Sequence, residues 1–149
     1  MGQINVTSIT PGTIVNSDIA SGAGLETSKM NHQHVFSIDF NLDDADTPVT
    51  TEMTFYMPTG AATIKEVKAW LVDTGSSTNI DFDIEINGTS ALTGVINFTN
   101  SDTNQTSKNG TIATSSVTAT QYLTAVMTVT SATGALGGKM QVIIDTGSV

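Results

Sequence analysis

The sequence contains no cysteine and no arginine, few aromatic residues and only five lysines. Each shortage removes a class of chemistry. Without Cys there are no disulfides, thiol nucleophiles, zinc ribbons or iron–sulfur clusters. Fourteen acidic residues against five Lys give a formal charge of −9 and a pI near 4.2. No cationic face is left to neutralise phosphates, which argues against a nucleic-acid partner. Aromatics at 5% leave few platforms for stacking on sugar rings. No run approaches the ~20 apolar residues of a bilayer-spanning helix, so no membrane partner is expected.

What is present fits one ordinary domain. The 149 residues are 38% hydrophobic, and a chain of this length buries roughly 70% of its unfolded surface. That composition is not a disordered acidic tail. Met1-Gly2-Gln3-Ile4-Asn5 has neither the basic nor the apolar region of a secretory signal, and Val6 stands where N-myristoylation wants Ser or Thr. The expectation is a protein made in a cytoplasm and kept or assembled there.

The pattern changes near residue 34. Residues 1–34 are rich in Gly, Ser, Thr and Asn, with aliphatics at Ile4, Val6, Ile9, Ile14, Ile19 and Leu25. A spacing of about five fits neither a helix nor a strand, so this reads as an irregular extended arm. From Val35 the chain alternates. Phe36, Ile38, Phe40 and Leu42 share one face; Ile80, Phe82, Ile84 and Ile86 share another, with Asp81, Asp83 and Glu85 opposite. Such segments are half-buried antiparallel strands. Further strands are expected at 51–57, 64–72, 92–98, 111–117, 122–130 and 139–144. Asn87-Gly88 and Asn109-Gly110 read as hairpin turns, while Pro58-Thr59-Gly60, Asp73-Thr74-Gly75 and 134–138 close other strands. Thr enrichment agrees, because β-branched residues favour a pleated backbone. Eight strands in about 115 residues imply an all-β antiparallel sandwich, a jelly roll or related Greek key, over residues 35–149.

Chemical motifs are sparse. Asp73-Thr74-Gly75-Ser76 and Asp145-Thr146-Gly147-Ser148 both follow an apolar strand and resemble the active-site loop of pepsin-like and retroviral aspartic proteases, in which two Asp share a proton. The second copy is followed by a single residue, and a two-lobed enzyme of that kind needs more than twice this length. Turn punctuation, with Gly in the left-handed position, is the favoured reading, and an aspartic-protease-like enzyme is the remote one. Asp43, Asp44 and Asp46 crowd one turn, but Asp44 and Thr50 stand where a calcium loop needs Gly and Glu, so a solvated acidic loop is favoured over a metal site. His32 and His34 lie on one side of an extended segment; a hinge or interface role is favoured over metal ligation. No nucleophile elbow or phosphate-binding glycine loop exists. No catalytic residues, cofactors or metals are assigned. Trp70, set among Ala69, Leu71 and Val72, is expected in the core.

The arm carries the most specific pattern. Residues 11–30, PGTIVNSDIASGAGLETSKM, read as G-T-I-x-N-x-D-I, a small-residue stretch with an aliphatic, then S-K-M. This resembles a segment of virion structural proteins of tailed bacteriophages, found in head-fibre, tail-fibre and capsid-decoration proteins. The resemblance implies a capsid decoration (cement) protein on the outer head surface, a homo-oligomer with a trimer favoured, partnered by the major capsid protein or another virion protein. It implies anchoring through Ile4, Val6, Ile9, Ile14, Ile19 and Leu25. The alternative is a phage fibre or receptor-binding module recognising a glycan.

Overall fold

The computed structural model describes residues 33–42 and 48–146. Within them the fold is all-β, with eight antiparallel strands in one curled sheet and no helix. The strands are β1 (Gln33–Asp39), β2 (Val49–Tyr56), β3 (Ala62–Ile86), β4 (Thr89–Ser90), β5 (Ile96–Thr99), β6 (Lys108–Asn109), β7 (Ser116–Val117) and β8 (Leu123–Asp145). Two of them, β3 with 25 residues and β8 with 23, pair along their full length. This long ladder folds across its middle, and each half of it anchors a small sheet.

The pairings define those halves. The N-terminal part of β3 and the C-terminal part of β8 lie between β1 on one side and β6 and β7 on the other. The C-terminal part of β3 and the N-terminal part of β8 lie between β2 and β5, with β4 at the end. If each long strand is counted as two, β6 and β7 as one, and two-residue β4 is left out, the orders in this renumbering are 1-8-3-6 and 2-7-4-5, which is the connectivity of a jelly roll. The two halves face each other. A Cβ on Gly138, in the first half, would meet Met127 Sδ at 2.7 Å and Phe82 Cζ at 3.2 Å, both in the second. Phe82 also packs edge-on against Phe40 and Phe98 at 5.6 and 5.8 Å.

The bend follows from residue parity. Core-facing positions of β3 run 62, 64, then 67, 69, 71, then 74, 78, 80, 82, 84 and 86. The register shifts between Ile64 and Glu66, Thr74 and Ser77, and Asn79 and Ile80. The extra residue at the first moves the core positions from even to odd numbers, and they return to even between Leu71 and Thr74, at the bend. In β8 the buried positions step by three, 129, 132, 135 and 138, through the bend. Gly75, Gly134 and Gly137 there take φ of +64°, +73° and +64°, which L-residues avoid. The strands expected at 64–72 and 79–86, and at 122–130 and 139–144, are therefore continuous pairs joined through their bends. Asp73-Thr74-Gly75 turns a strand without ending it.

Two other expectations are corrected. Asn109-Gly110 is not a two-residue hairpin: Asn109 pairs with Lys68, and neither residue has positive φ. Gly110 serves by closeness, since a Cβ there would lie 2.9 Å from a Leu92 methyl. Trp70 points outward and is half-buried, because the shift at Ile64/Glu66 gives the core positions to Val67, Ala69 and Leu71. Asn87-Gly88, with φ of 50° and 77°, does form the tight β3–β4 turn, as both turn positions require.

Candidate functional site

The six arm aliphatics, Ile4, Val6, Ile9, Ile14, Ile19 and Leu25, lie outside the described residues, as do His32, Asp43, Asp44 and Asp46. His34 is described. It is exposed on β1, its ring 6.4 Å from that of Phe36. No group of three or more His, Asp or Glu among the described residues is placed to hold a metal ion.

The D-T-G-S pair does not form a dyad within the chain. Asp73 stands opposite Leu136 at the bend, and Asp145 opposite Thr63 at the far end of the same ladder. Ten residues of strand separate the two levels, roughly 30 Å. Asp73 Oδ1 accepts the Gly75 N–H at 2.9 Å, an Asx turn that holds the bend. Thr74 donates its N–H and hydroxyl to Asn104 Oδ1 at 2.9 and 2.8 Å. Thr78 donates its hydroxyl to the Thr74 carbonyl. Asp145 pairs with Lys65 at 3.5 Å.

Two surfaces stand out. The first is the outer face of the β2–β8–β3–β5 half, where rungs of paired residues align acids and threonines. Glu52 and Asp83 flank Val126, and Thr54 and Glu85 flank Thr124. Burial pushes the Asp83 carboxyl up from its ordinary range, against hydrogen bonds from Ser90 and the Ile84 N–H. Burial also raises Glu85, and repulsion by Asp83 and Glu52 adds to it. Beside them is a shallow depression of about 310 Å³, lined by Glu52, Thr54, Met57, Glu85, Tyr122 and Thr124.

The second surface is the open side of the sandwich, between β1 and β2. Each of these strands pairs only with β8, so each leaves one edge free among the described residues. By register with the buried residues of β8, His34, Phe36 and Ile38 of β1 and Val49, Thr51 and Met53 of β2 point toward the interior. Yet Val49 is 43% exposed and Met53 38%. Phe36 bridges the gap at one end, its ring 5.2 Å from those of Phe55 and Tyr56. Four of the eight exposed large hydrophobics, Val35, Val49, Met53 and Met57, lie on or beside these two strands.

The opposite side is closed. Lys108 lies over the Phe98 ring at 4.7 Å, donates to the Asn97 carbonyl at 2.7 Å and pairs with Asp102 at 2.7 Å. Burial raises Asp102, but Lys108 and the Thr99 N–H outweigh it and hold this carboxyl below the usual range. Edge strands are ordinarily blunted by Lys, Pro or a covering loop. β1 and β2 contain neither Lys nor Pro. The sequence signal for this surface was that missing protection, together with the poor alternation of Val49–Tyr56.

No protein-family model matches the sequence, and no curated protein matches it. A solved structure of infectious bursal disease virus, Gt strain, aligns with 98% of this chain and 41% of its own, at 9% identity and a TM-score of 0.35. The fold assignment rests on this chain's own strand order.

Proposed function

We propose that the chain is a decoration protein of a tailed-phage particle, held on the outer surface of the head by residues 1–34 and reinforcing the shell there. The observation that carries this reading is the division of labour in the chain. Residues 11–30 resemble a phage virion segment, and they lead into β1 at Gln33, a strand with one edge unpaired among the described residues. The domain itself leaves no buried side-chain polar atom unsatisfied among its described residues, so it folds without needing a ligand to complete it. An arm with six spaced aliphatics cannot offset its ordering entropy alone and gains by seating them in shallow sites on a partner. Ile4, Val6, Ile9, Ile14, Ile19 and Leu25 are the anchoring side chains, and a trimer is the favoured assembly.

Deletion of residues 1–30 tests this directly. The truncated protein is expected to melt as the parent does and to lose co-sedimentation with phage heads. A truncated protein that still sediments with heads refutes the anchoring role.

One observation favours a second reading, a glycan-recognising module: Tyr122, 39% exposed, sits beside Glu52 and Glu85 in the 310 Å³ depression. An aromatic face with nearby carboxylate acceptors suits a neutral sugar. Titration with a neutral oligosaccharide that shifts Tyr122 resonances supports it; unchanged spectra remove it.

A further inference from the structure

We infer that the open side between β1 and β2 is the seat for the N-terminal segment of a second copy of this chain. This goes beyond shell anchoring and does not depend on it. The surface is incomplete in a specific way. Phe36, Val49 and Met53 point toward the interior of a sandwich that no strand closes at this side. Among the described residues both edges beside it are unpaired, and neither strand carries Lys or Pro. A bare edge with an apolar flank is the template for strand addition, in which main-chain bonds give affinity and alternate side chains fill the flank.

The occupant is identified by length, chemistry and direction. The chain outside the fold on this side is 32 residues long and joins at Gln33. At ~3.3 Å per extended residue it reaches about 100 Å, whereas a seat the length of eight-residue β2 needs about 26 Å. Of the six anchoring aliphatics, Ile4, Val6 and Ile9 then reach the shell directly, while Ile14, Ile19 and Leu25 hold the neighbouring copy beside it. Residues 1–17 carry no charged side chain, and Ile14, Ile19 and Leu25 supply apolar groups matched to Val49 and Met53. A neutral segment suits this flank, since Glu52, the acid within β2, lies on the other face of that strand.

Direction assigns the segment to a neighbouring copy. β1 runs antiparallel to β8 with Gln33 opposite Asp145, so residues 1–32 join the fold at the end of the sheet. For Leu25 to lie on an edge of its own chain the segment would have to reverse within residues 26–32, and ETSKMNH contains neither Gly nor Pro for a tight reversal. Donation to a neighbour is head-to-tail, and it closes into a ring when the rotation closes.

The absence of native Cys permits a clean cross-linking test on the full chain. A Met53→Cys protein is mixed under mild oxidation with Ile14→Cys, Ile19→Cys or Leu25→Cys proteins carrying a mass tag. The expected product is a reducible pair of unlike chains, about twice the 15.5 kDa chain mass. Its yield should be at least tenfold above that of the same arm variants mixed with Ser37→Cys, on the outer face of β1. Adding Val49→Lys to the Met53→Cys chain should cut the yield tenfold or more, and its circular dichroism spectrum should stay that of the parent, which shows that the domain is still folded. Equal yields with Ser37→Cys overturn the inference. So does a Met53→Cys/Ile19→Cys double variant that closes only within one chain. Loss of cross-linking with head co-sedimentation intact would remove this inference and leave the anchoring role; the reverse pattern would do the opposite.

Discussion

Replacing Gly75 by Ala tests whether the first D-T-G-S segment exists to fold the long β3/β8 ladder over. Gly75 has φ of +64°, and a Cβ there would lie 2.3 Å from the Thr133 carbonyl oxygen, 2.6 Å from Ala135 N and 2.7 Å from Gly134 C. All three are backbone atoms of the partner strand, so no side chain can swing away. The left-handed conformation costs an L-residue about 1–2 kcal/mol, and overpacking adds about 1–3, for a total near 3 kcal/mol. For a domain of about 110 residues, unfolding entropy of ~2.1 cal/mol/K per residue converts this to a melting temperature lower by roughly 13 °C. The paired control is Asp73→Asn, which keeps an oxygen to accept the Gly75 N–H and removes the charge an aspartic protease would need. It should melt within ~4 °C of the parent, about 1 kcal/mol. Calorimetry or circular dichroism melting reads both. A Gly75→Ala protein within 2 °C of the parent refutes the bend argument, and an Asp73→Asn protein as damaged as Gly75→Ala refutes the Asx-turn role.

Phe82→Ala removes a ring with no solvent exposure, packed edge-on against Phe40 and Phe98; it should cost about 4 kcal/mol in denaturant unfolding, and a loss under ~1.5 kcal/mol would mean the two halves do not pack as described. Glu85 has its carboxyl pushed up by burial and by Asp83 and Glu52. Its folded value therefore exceeds the unfolded one, so it favours the fold below the usual carboxylate range and loses that contribution as pH rises through the raised value. Glu85→Gln should accordingly match or exceed the parent's melting temperature at pH 7, and the difference should vanish near pH 4. Asp102 runs the other way: held low by Lys108 and the Thr99 N–H against burial, it stabilises at neutral pH, and Asp102→Asn should lower melting there but not at strongly acidic pH.

Much of the fold was legible because alternation survives wherever one face is buried. Phe36 through Phe40 and Ile80 through Ile86 were read with the correct faces, and the eight strand segments with turns between them imply the jelly roll. The misreadings share one physical cause. A bulge changes which parity faces the core without changing composition, so Trp70 read as buried when Val67, Ala69 and Leu71 hold the inside. Likewise Gly at 75, 134 and 137 marks left-handed backbone in any context, and local sequence does not say whether the strand beyond the bend rejoins the same partner. That is fixed by long-range pairing of β3 with β8, across as many as 82 positions in the Thr63–Asp145 rung. The Asn-x-Thr triplets that begin at Asn87, Asn97 and Asn104, the pattern of an N-glycosylation acceptor, show the same limit. Asn87, Asn97 and Asn104 use their side-chain amides within the fold, on Tyr122 N–H, on Asn79 and Asp81, and on Thr74.

Charge narrows which surface can meet another copy. All four described lysines pair with acids: Lys65 with Asp145, Lys68 with Glu66, Lys108 with Asp102 and Lys139 with Asp39. Three of these pairs lie on the β1–β8–β3 half, and the fourth seals the loop over Phe98. None reaches the outer face of the other half, where Glu52, Asp81, Asp83 and Glu85 share a surface with threonines. Two such faces brought together would place like charges opposite each other with no cation between them, a juxtaposition that costs several kcal/mol. Like charge of that kind disfavours contact between two such faces and repels polyanions. The β5 side is sealed by its loop and Lys108. The side between β1 and β2 differs: among the described residues its inward positions carry no acid or lysine and both its edges are unpaired, which is the character the proposed seat requires.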